Sequence, residues 1–279
     1  MKNLRGRRRG RRRGVVVLKV GGELVEGASA TAAMARVVAR ASRTVTLVVV
    51  HGGGKDIDAA LAQAAIPKHQ VDGLRITDEP TLAVVVAVLA GSINTRFVAA
   101  INAAGGRAVG LTGADAGIGL VKPARPHRAA NGELVDLGRV GEPVRGLGAP
   151  LLDTLCRAGF VPIVACVGAA KDGRLFNVNA DTLAASLAAR VKAARLVFAG
   201  GTAGVLDQAG ETIAELTADS IDELVGSGKA TAGMVAKLRA ARHALDDGAE
   251  IAIADGRSPK LAALISGTAP RRGRWTRLT

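Results

Sequence analysis

The sequence predicts an α/β protein built on a mainly parallel sheet. Short apolar runs rich in β-branched residues alternate with stretches of helical periodicity, and several of the runs end on clustered glycines. With 279 residues, 48% of them hydrophobic and 22% charged, the chain can fill one large domain or two lobes sharing a sheet. A wholly disordered chain and a small disulfide scaffold are both excluded.

Residues 15–20 (VVVLKV) and 45–50 (VTLVVV) read as strands buried on both faces, the first ending at Gly21-Gly22 and the second at His51-Gly52-Gly53-Gly54. Between them Met34, Val37, Val38 and Ala41 recur at helical spacing over residues 30–41. A helical stretch follows at 78–103, interrupted at Gly91, and then a strand at 107–111. Residues 117–146, rich in Gly, Pro and charge, suggest a β-hairpin excursion around 119–139. A helix at 149–158 leads to an apolar strand from Val161 to Val167, and 179–190 and 195–199 read as helix and strand. The last third gives a turn at Gly200–Gly204, helices near 217–225 and 232–246, a strand at 249–254 and a short helix near 260–266.

The net charge of +14 is unevenly placed. Residues 1–13 hold eight basic side chains and residues 271–279 hold four, with no acid at either end, which leaves the body between them near neutral. The organisation predicted is a basic, disordered tail at 1–14, an N-terminal lobe at 15–175, a C-terminal lobe at 176–268 and a second basic tail at 269–279. Aromatic residues are only 2%, which argues against a protein that reads nucleic acid by stacking bases. Cys156 and Cys166 lie in apolar surroundings without metal-ligand spacing and read as free thiols of a reduced cytoplasm. No apolar run approaches the 18 residues of a membrane span, and the Arg-rich start lacks the apolar stretch of a secretory signal.

Five motifs carry the chemistry. Lys19-Val20-Gly21-Gly22 ends a buried strand, where ligands of open parallel sheets bind; the glycines let backbone N–H groups approach a phosphate and the lysine adds a full charge. His51-Gly52-Gly53-Gly54-Lys55 repeats that arrangement before a helix, with the spacing of neither a Walker loop nor a dinucleotide fingerprint. His51 reads as a packed, hydrogen-bonded histidine. In Gly73-Leu74-Arg75-Ile76-Thr77 the guanidinium can grip a carboxylate. Asn177-Val178-Asn179-Ala180-Asp181 opens a helix, where Asn and Asp also serve as ordinary caps. Gly233-Met234 precedes Lys237 on a helix. Two lysines, two glycine turns, a carboxylate-gripping arginine and few general bases fit phosphoryl transfer to a carboxylate, an acceptor already ionised at neutral pH.

The ordered set KVGG, HGGG, GLRIT, NVNAD and GM with Lys237, together with VDLGRVGEP and GFVPIVACVG, resembles the amino acid kinase family from about Val15 to Gly267. Within it the resemblance is to members that phosphorylate the γ-carboxylate of N-acetyl-L-glutamate in arginine biosynthesis. It implies a three-layer αβα sandwich in two lobes, ATP with magnesium as co-substrate and no tightly bound cofactor. It also implies roles. Lys19 and Lys237 would neutralise the transferring phosphoryl group, and Asp181 would hold both lysines. Gly53 and Gly54 would donate N–H groups to the acceptor, Arg75 would bind its α-carboxylate and Asn177 would contact it. Gly21 and Gly22 would cover the ATP phosphates; Gly201, Thr202, Ala203, Gly204, Val205 and Leu206, with Lys229, Ala230 and Thr231, would line the adenine side. No protein metal site is implied.

Two departures from the family pattern stand out. Lys55 replaces the usual Pro after HGGG, and Gly200-Gly201-Thr202 replaces a usual Thr-Asp-Val. Arginine-inhibited members build a hexamer through an amphipathic helix before the first strand; residues 1–14 offer almost nothing apolar for one, so a homodimer without arginine feedback is expected. Three rivals are weighed: a sister kinase using a carrier-linked aminoadipate or glutamate, a nucleic-acid binder working through the basic tail, and a nucleotide-sensing pseudo-kinase. The intact lysine pair and Asp181 argue against the last.

Overall fold

A computed structural model describes residues 14–129, 131–226, 232–270 and 273–279. The basic stretch 1–13, the expected nucleotide contacts Lys229, Ala230 and Thr231, and Arg271 and Arg272 lie outside the described residues.

β1 (Val15–Val20) leads through a single 3₁₀ turn to α1 (Gly27–Ala41), β2 (Thr46–His51) and α2 (Gly54–Gln63). A small ladder of β3 (Gln70–Val71) and β4 (Leu74–Arg75) precedes α3 (Glu79–Val86), a π-helical segment (Ala87–Ile93) and α4 (Asn94–Ala103), then β5 (Ala108–Thr112). The excursion consists of β6 (Val121–Pro123), β7 (His127–Arg128), β8 (Leu134–Val135) and β9 (Gly141–Pro143), paired as nested antiparallel ladders. α5 (Pro150–Arg157) leads to β10 (Val161–Ala165), the hairpin β11 (Val167–Ala169) and β12 (Leu175–Asn177), α6 (Ala180–Arg190) and β13 (Arg195–Gly200). The chain closes with β14 (Glu215–Leu216), α7 (Ala218–Gly226), α8 (Ala232–Asp246), β15 (Glu250–Asp255), α9 (Leu261–Ser266) and β16 (Trp275–Leu278).

Eight strands form one sheet in the order β14-β16-β15-β13-β1-β2-β10-β5, parallel except where β15 meets β16. Helices cover both faces: α1 packs against α4 and α9, and α6 packs against α8 and against β1, β2 and β13. This three-layer arrangement explains why β1, β2 and β10 read as continuous apolar runs, since both faces of each are buried. From β1 the chain proceeds outward to β2 on one side and to β13 on the other, so the carboxyl ends of these three strands border a switch-point crevice.

Four sequence expectations need correcting. The helix at 78–103 is not broken at Gly91; the chain stays helical through π turns, as Ile93, Asn94 and Phe97 turn inward. Residues 79–103 also reach the length and apolar composition of a membrane span, but Leu82, Val85, Leu89, Ile93, Phe97 and Ile101 are buried in the protein itself. The strand expected from Val161 to Val167 ends at Ala165, because Cys166 turns inward, its Sγ 2.9 Å from the His51 carbonyl oxygen, and Val167 starts a separate hairpin. The tail expected at 269–279 contains β16, in which Trp275 and Leu278 are buried and Thr276 is fully enclosed.

Candidate active site

The buried strands deliver their last residues into the crevice. Lys19 stands in register between Val50 of β2 and Phe198 of β13 and is only 9% exposed. Across from it, Asn179 caps α6: its side chain accepts from the N–H groups of Asp181 and Thr182 at 2.9 and 3.1 Å. The cap fixes Asp181 in the first helical turn, where the helix dipole favours a carboxylate. The Nζ of Lys19 lies 3.0 Å from Asp181 Oδ1, and Lys237 of α8 donates to Oδ2 at 3.0 Å and Oδ1 at 3.2 Å. Lys237 also lies over the Phe198 ring, 5.6 Å from its centroid. Lys19, Asp181 and Lys237, from three separate motifs, thus form one cluster.

One carboxylate serves two ammonium groups, so the cluster carries a net positive charge. Burial pushes the Asp181 carboxyl upward, but the two lysines outweigh it and hold it below the usual range. Burial depresses Lys19, yet Asp181 more than compensates and leaves it raised. Lys237 is lowered, by burial and then by repulsion from Lys19. An anion entering between the lysines would relieve that repulsion.

The two glycine turns abut. A Cβ on Gly22 would sit 3.0 Å from Gly53 Cα and 3.3 Å from the Gly54 nitrogen, and one on Gly53 would collide with Ile93. Close approach favours glycine at both positions. Gly53 caps α2, so the backbone at the start of that helix faces the crevice with donors unused by the helix. His51 is fully buried beside Asn94, its Nε2 3.1 Å from the amide nitrogen, and burial lowers its pKa to about 4. It is a packed histidine. Lys55 pairs with Glu26 at 3.2 Å with its side chain largely in solvent.

On the acceptor side, Arg75 of β4 pairs through Nη2 with Asp58 of α2 and lies 3.4 Å from the Gly54 carbonyl oxygen. Its Nη1 is buried without a partner among the described residues. The Asn177 amide donates to Thr77 Oγ1 at 3.2 Å, tying β12 to the loop after Arg75. Arg75, Gly54 and Asn177 are thereby gathered on the side of the crevice that holds α2.

On the other side, Gly200 accepts from Gly256 N–H at 2.8 Å, and Gly201 and Thr202 are exposed at the strand end. The loop then turns inward. Gly204, at φ 110°, packs against Thr276, whose Oγ1 accepts from Val205 N–H at 2.8 Å, and Val205 is buried. Gly201, Thr202 and Leu206 are therefore the exposed members of the expected nucleotide loop, with Ala203 half-buried.

Sequence reasoning missed three participants. A Cβ on Gly21 would fall 2.5 Å from a Glu23 carboxylate oxygen, and another would lie 3.5 Å from one on Gly200, so this acid occupies the crevice between the two strand ends. Its position directly after the glycine pair was the available signal. Asp58 and Thr77, by contrast, gain meaning only from contacts across the chain.

The model of the amino acid kinase family matches residues 14–255. The chain belongs to the amino acid kinase family. Among curated relatives, the acetylglutamate kinase of Dinoroseobacter shibae is 40% identical over 252 residues, covering 90% of this chain and 84% of that protein. The acetylglutamate kinase of Stutzerimonas stutzeri is 36% identical over 255 residues, covering 89% and 85%. Among solved structures, N-acetylglutamate synthase from Neisseria gonorrhoeae, complexed with coenzyme A and N-acetyl-glutamate, superposes with a TM-score of 0.78 at 25% identity. That match covers 96% of this chain but only 60% of the synthase. Giardia carbamate kinase, at 14% identity and a TM-score of 0.67, shares the family fold over 95% of this chain and 98% of its own.

Proposed function

We propose that this amino acid kinase transfers the γ-phosphoryl group of ATP to the γ-carboxylate of N-acetyl-L-glutamate, giving N-acetyl-L-glutamyl 5-phosphate for arginine biosynthesis. The observation that carries the reading is Asp181 bridging Lys19 and Lys237 at 3.0 Å, between the glycine turns and the Gly200–Thr202 strand end. The acceptor carboxylate attacks the γ-phosphorus, a new P–O bond forms, the bond to the β,γ-bridging oxygen breaks, and ADP leaves. No proton is transferred, so no general base is needed. The lysines stabilise charge on the phosphoryl oxygens in flight, and Asp181 positions them.

Residues 15–175 form the acceptor lobe. Arg75 offers its unpartnered Nη1 to the α-carboxylate, Gly53 and Gly54 supply backbone donors, and Asn177 orients the substrate. Residues 176–268 form the ATP lobe. Gly21 and Gly22, at the end of β1, reach the phosphates from the acceptor lobe, and Gly201, Thr202 and Leu206 with Lys229, Ala230 and Thr231 line the adenine side, while Gly204 and Val205 turn inward and shape the loop. Magnesium would enter with the nucleotide and be held mainly by its oxygens, since both Asp181 oxygens are engaged by lysine; Glu23 is the crevice carboxylate that could meet it.

The exposed side of residues 79–103 carries Ala83, Ala87, Gly91 and Ala99, small residues that let a second copy approach closely, and we assign this face to a homodimer. Two free cysteines suit a cytoplasmic enzyme.

The test is turnover of MgATP with N-acetyl-L-glutamate, glutamate, aspartate and N-acetyl-aminoadipate, trapping the acyl phosphate with hydroxylamine. Hydroxamate with N-acetyl-L-glutamate alone is expected. Hydroxamate only with another acceptor, or with none, overturns the substrate assignment. Light scattering should give a dimer; a monomer would overturn the assigned interface, and a hexamer the dimeric state.

A further inference from the structure

Away from the crevice, α6, α8 and the segment 143–148 surround a second cleft of about 370 Å³, at the lower end of the roughly 300–1,000 Å³ typical of small-molecule sites. Its floor is small and apolar, including Ala185, Ala189 and Ala240, while Arg145, Arg190 and Lys192 contribute positive charge. Asp247 is the one acid in the lining, so the cations outnumber it.

Arg190 is the unusual member, because it is a buried cation, 7% exposed, with no acid paired to it among the described residues. Four of its N–H donors are met by backbone carbonyls: Gly117 and Ile118 through Nη1 at 3.2 and 2.7 Å, and Leu120 and Val144 through Nη2 at 3.2 and 2.8 Å. Its Nε–H is buried without a partner. Buried charges are ordinarily balanced by an opposite charge. Arg145, next in sequence to Val144, also faces His243 of α8 and, after burial, disfavours protonation of that imidazole. The cleft is therefore positively biased, with Asp247 in its lining and Asp246 near His243 offsetting part of the charge.

Its walls connect directly to the transfer site. Asp181 opens the helix whose Thr182, Ala185, Ser186 and Ala189 line the cleft, and Lys237 lies one turn before Ala240 on α8. The 3.0 Å Lys237–Asp181 contact joins these same two helices. A change in the spacing of the two helices would therefore act on that contact, which weakens as its donor–acceptor distance lengthens.

We propose that the cleft between α6 and α8 is an effector site for a small organic anion, a phosphate monoester or polycarboxylate held by Arg145 and Lys192 beside the buried charge of Arg190, whose occupancy alters the Lys237–Asp181 contact and hence nucleotide affinity. The proposal rests on the assignment of Lys237 to the nucleotide, and is independent of which carboxylate is the acceptor.

Calorimetry with citrate and with glycerol 3-phosphate tests it. The intact chain is held in saturating magnesium AMP-PNP so that the transfer site is filled, with sulfate at equal ionic strength as control. One of the two organic anions is expected to bind one equivalent. Its saturation should change the dissociation constant of AMP-PNP by about fivefold or more, the lower end of ordinary coupling between sites. Arg145→Glu, at an exposed position, should weaken anion binding at least tenfold without altering AMP-PNP affinity in the anion's absence, and Ala189→Phe, which places bulk in the cleft, should weaken anion binding at least tenfold. Binding by neither anion, equal binding of sulfate, equal binding in both variants, or binding that leaves AMP-PNP affinity unchanged would each overturn the proposal. Failure of the hydroxamate assay would leave these binding measurements intact, so the two results can be told apart.

Discussion

Asp181 and Asp58 are built alike and situated differently. Each carboxylate meets two cations: Asp181 takes Lys19 and Lys237, and Asp58 takes Lys68 at 2.7 Å and Arg75. Each is held below the usual carboxylate range by those partners against the opposing effect of burial. The Asp181 side chain is 9% exposed and that of Asp58 33%. Water can therefore replace what Asp58 does for its partners, while the two lysines at Asp181 are buried and the Glu23 carboxylate adds only a weaker attraction. The number of ion pairs is equal; the cost of breaking them is not.

The largest consequence follows from Asp181→Asn. Removing one member of a buried charge cluster leaves uncompensated charge and typically costs about 3–5 kcal/mol, so the midpoint in urea should fall accordingly. Turnover should drop by about a thousandfold, since both lysines lose their positioning. The pH dependence sharpens the point. The folded carboxyl sits below the ordinary value of about 3.9, so its stabilisation is complete above that value and disappears as pH falls through the depressed one. The Asn variant should show a shallower acid limb in its stability profile; an unchanged limb would place the acid sensitivity elsewhere.

Next in size is Lys237→Ala, which removes a contact that strengthens as the phosphoryl group transfers. Loss of one such electrostatic donor costs about 10²–10³ in kcat, while KM for ATP should rise by a smaller factor, for the part of the contact already made to bound nucleotide. Equal changes in both would mean that Lys237 binds the ground state. A smaller effect belongs to Arg75→Ala. A charge-assisted hydrogen bond is worth about 1.5–3 kcal/mol, which becomes about ten- to hundredfold in KM for the acceptor. Stability should barely change, because Asp58 keeps Lys68. If kcat falls while KM holds, Arg75 acts on the transition state instead.

What could be read from the sequence follows the same division. Lys19, Asp181 and Lys237 were legible because each stands at a local landmark: a β-branched strand ending on glycines, a capped helix start, or an early helical turn. The Arg75–Asp58 pair was not, since Asp58 sits mid-helix among residues 54–63 with no local sign of its partner. The inward turn of Gly204 and Val205 depends on β16, and β16 itself was hidden because four arginines in nine residues conceal the buried Trp275 and Leu278. Likewise, nothing in the apolar run 161–167 announces that Cys166 leaves the sheet to meet His51.

The smallest expected effect is the most telling for the comparison. Asp58→Asn keeps the shape and removes the charge that Lys68 and Arg75 share. Exposed pairs of this kind contribute about 0–1 kcal/mol, so the shift in urea midpoint should be at the edge of detection. The kinetic outcome has a definite sign. Arg75 loses its competing carboxylate while its Nη1 stays free for substrate, so KM for the acceptor should fall or hold within about twofold, well inside the range of a single weak charge contact. A rise in KM approaching that of Arg75→Ala would show that Asp58 aims the guanidinium. The two aspartates would then both be positioning residues, with burial deciding only how much stability each role requires.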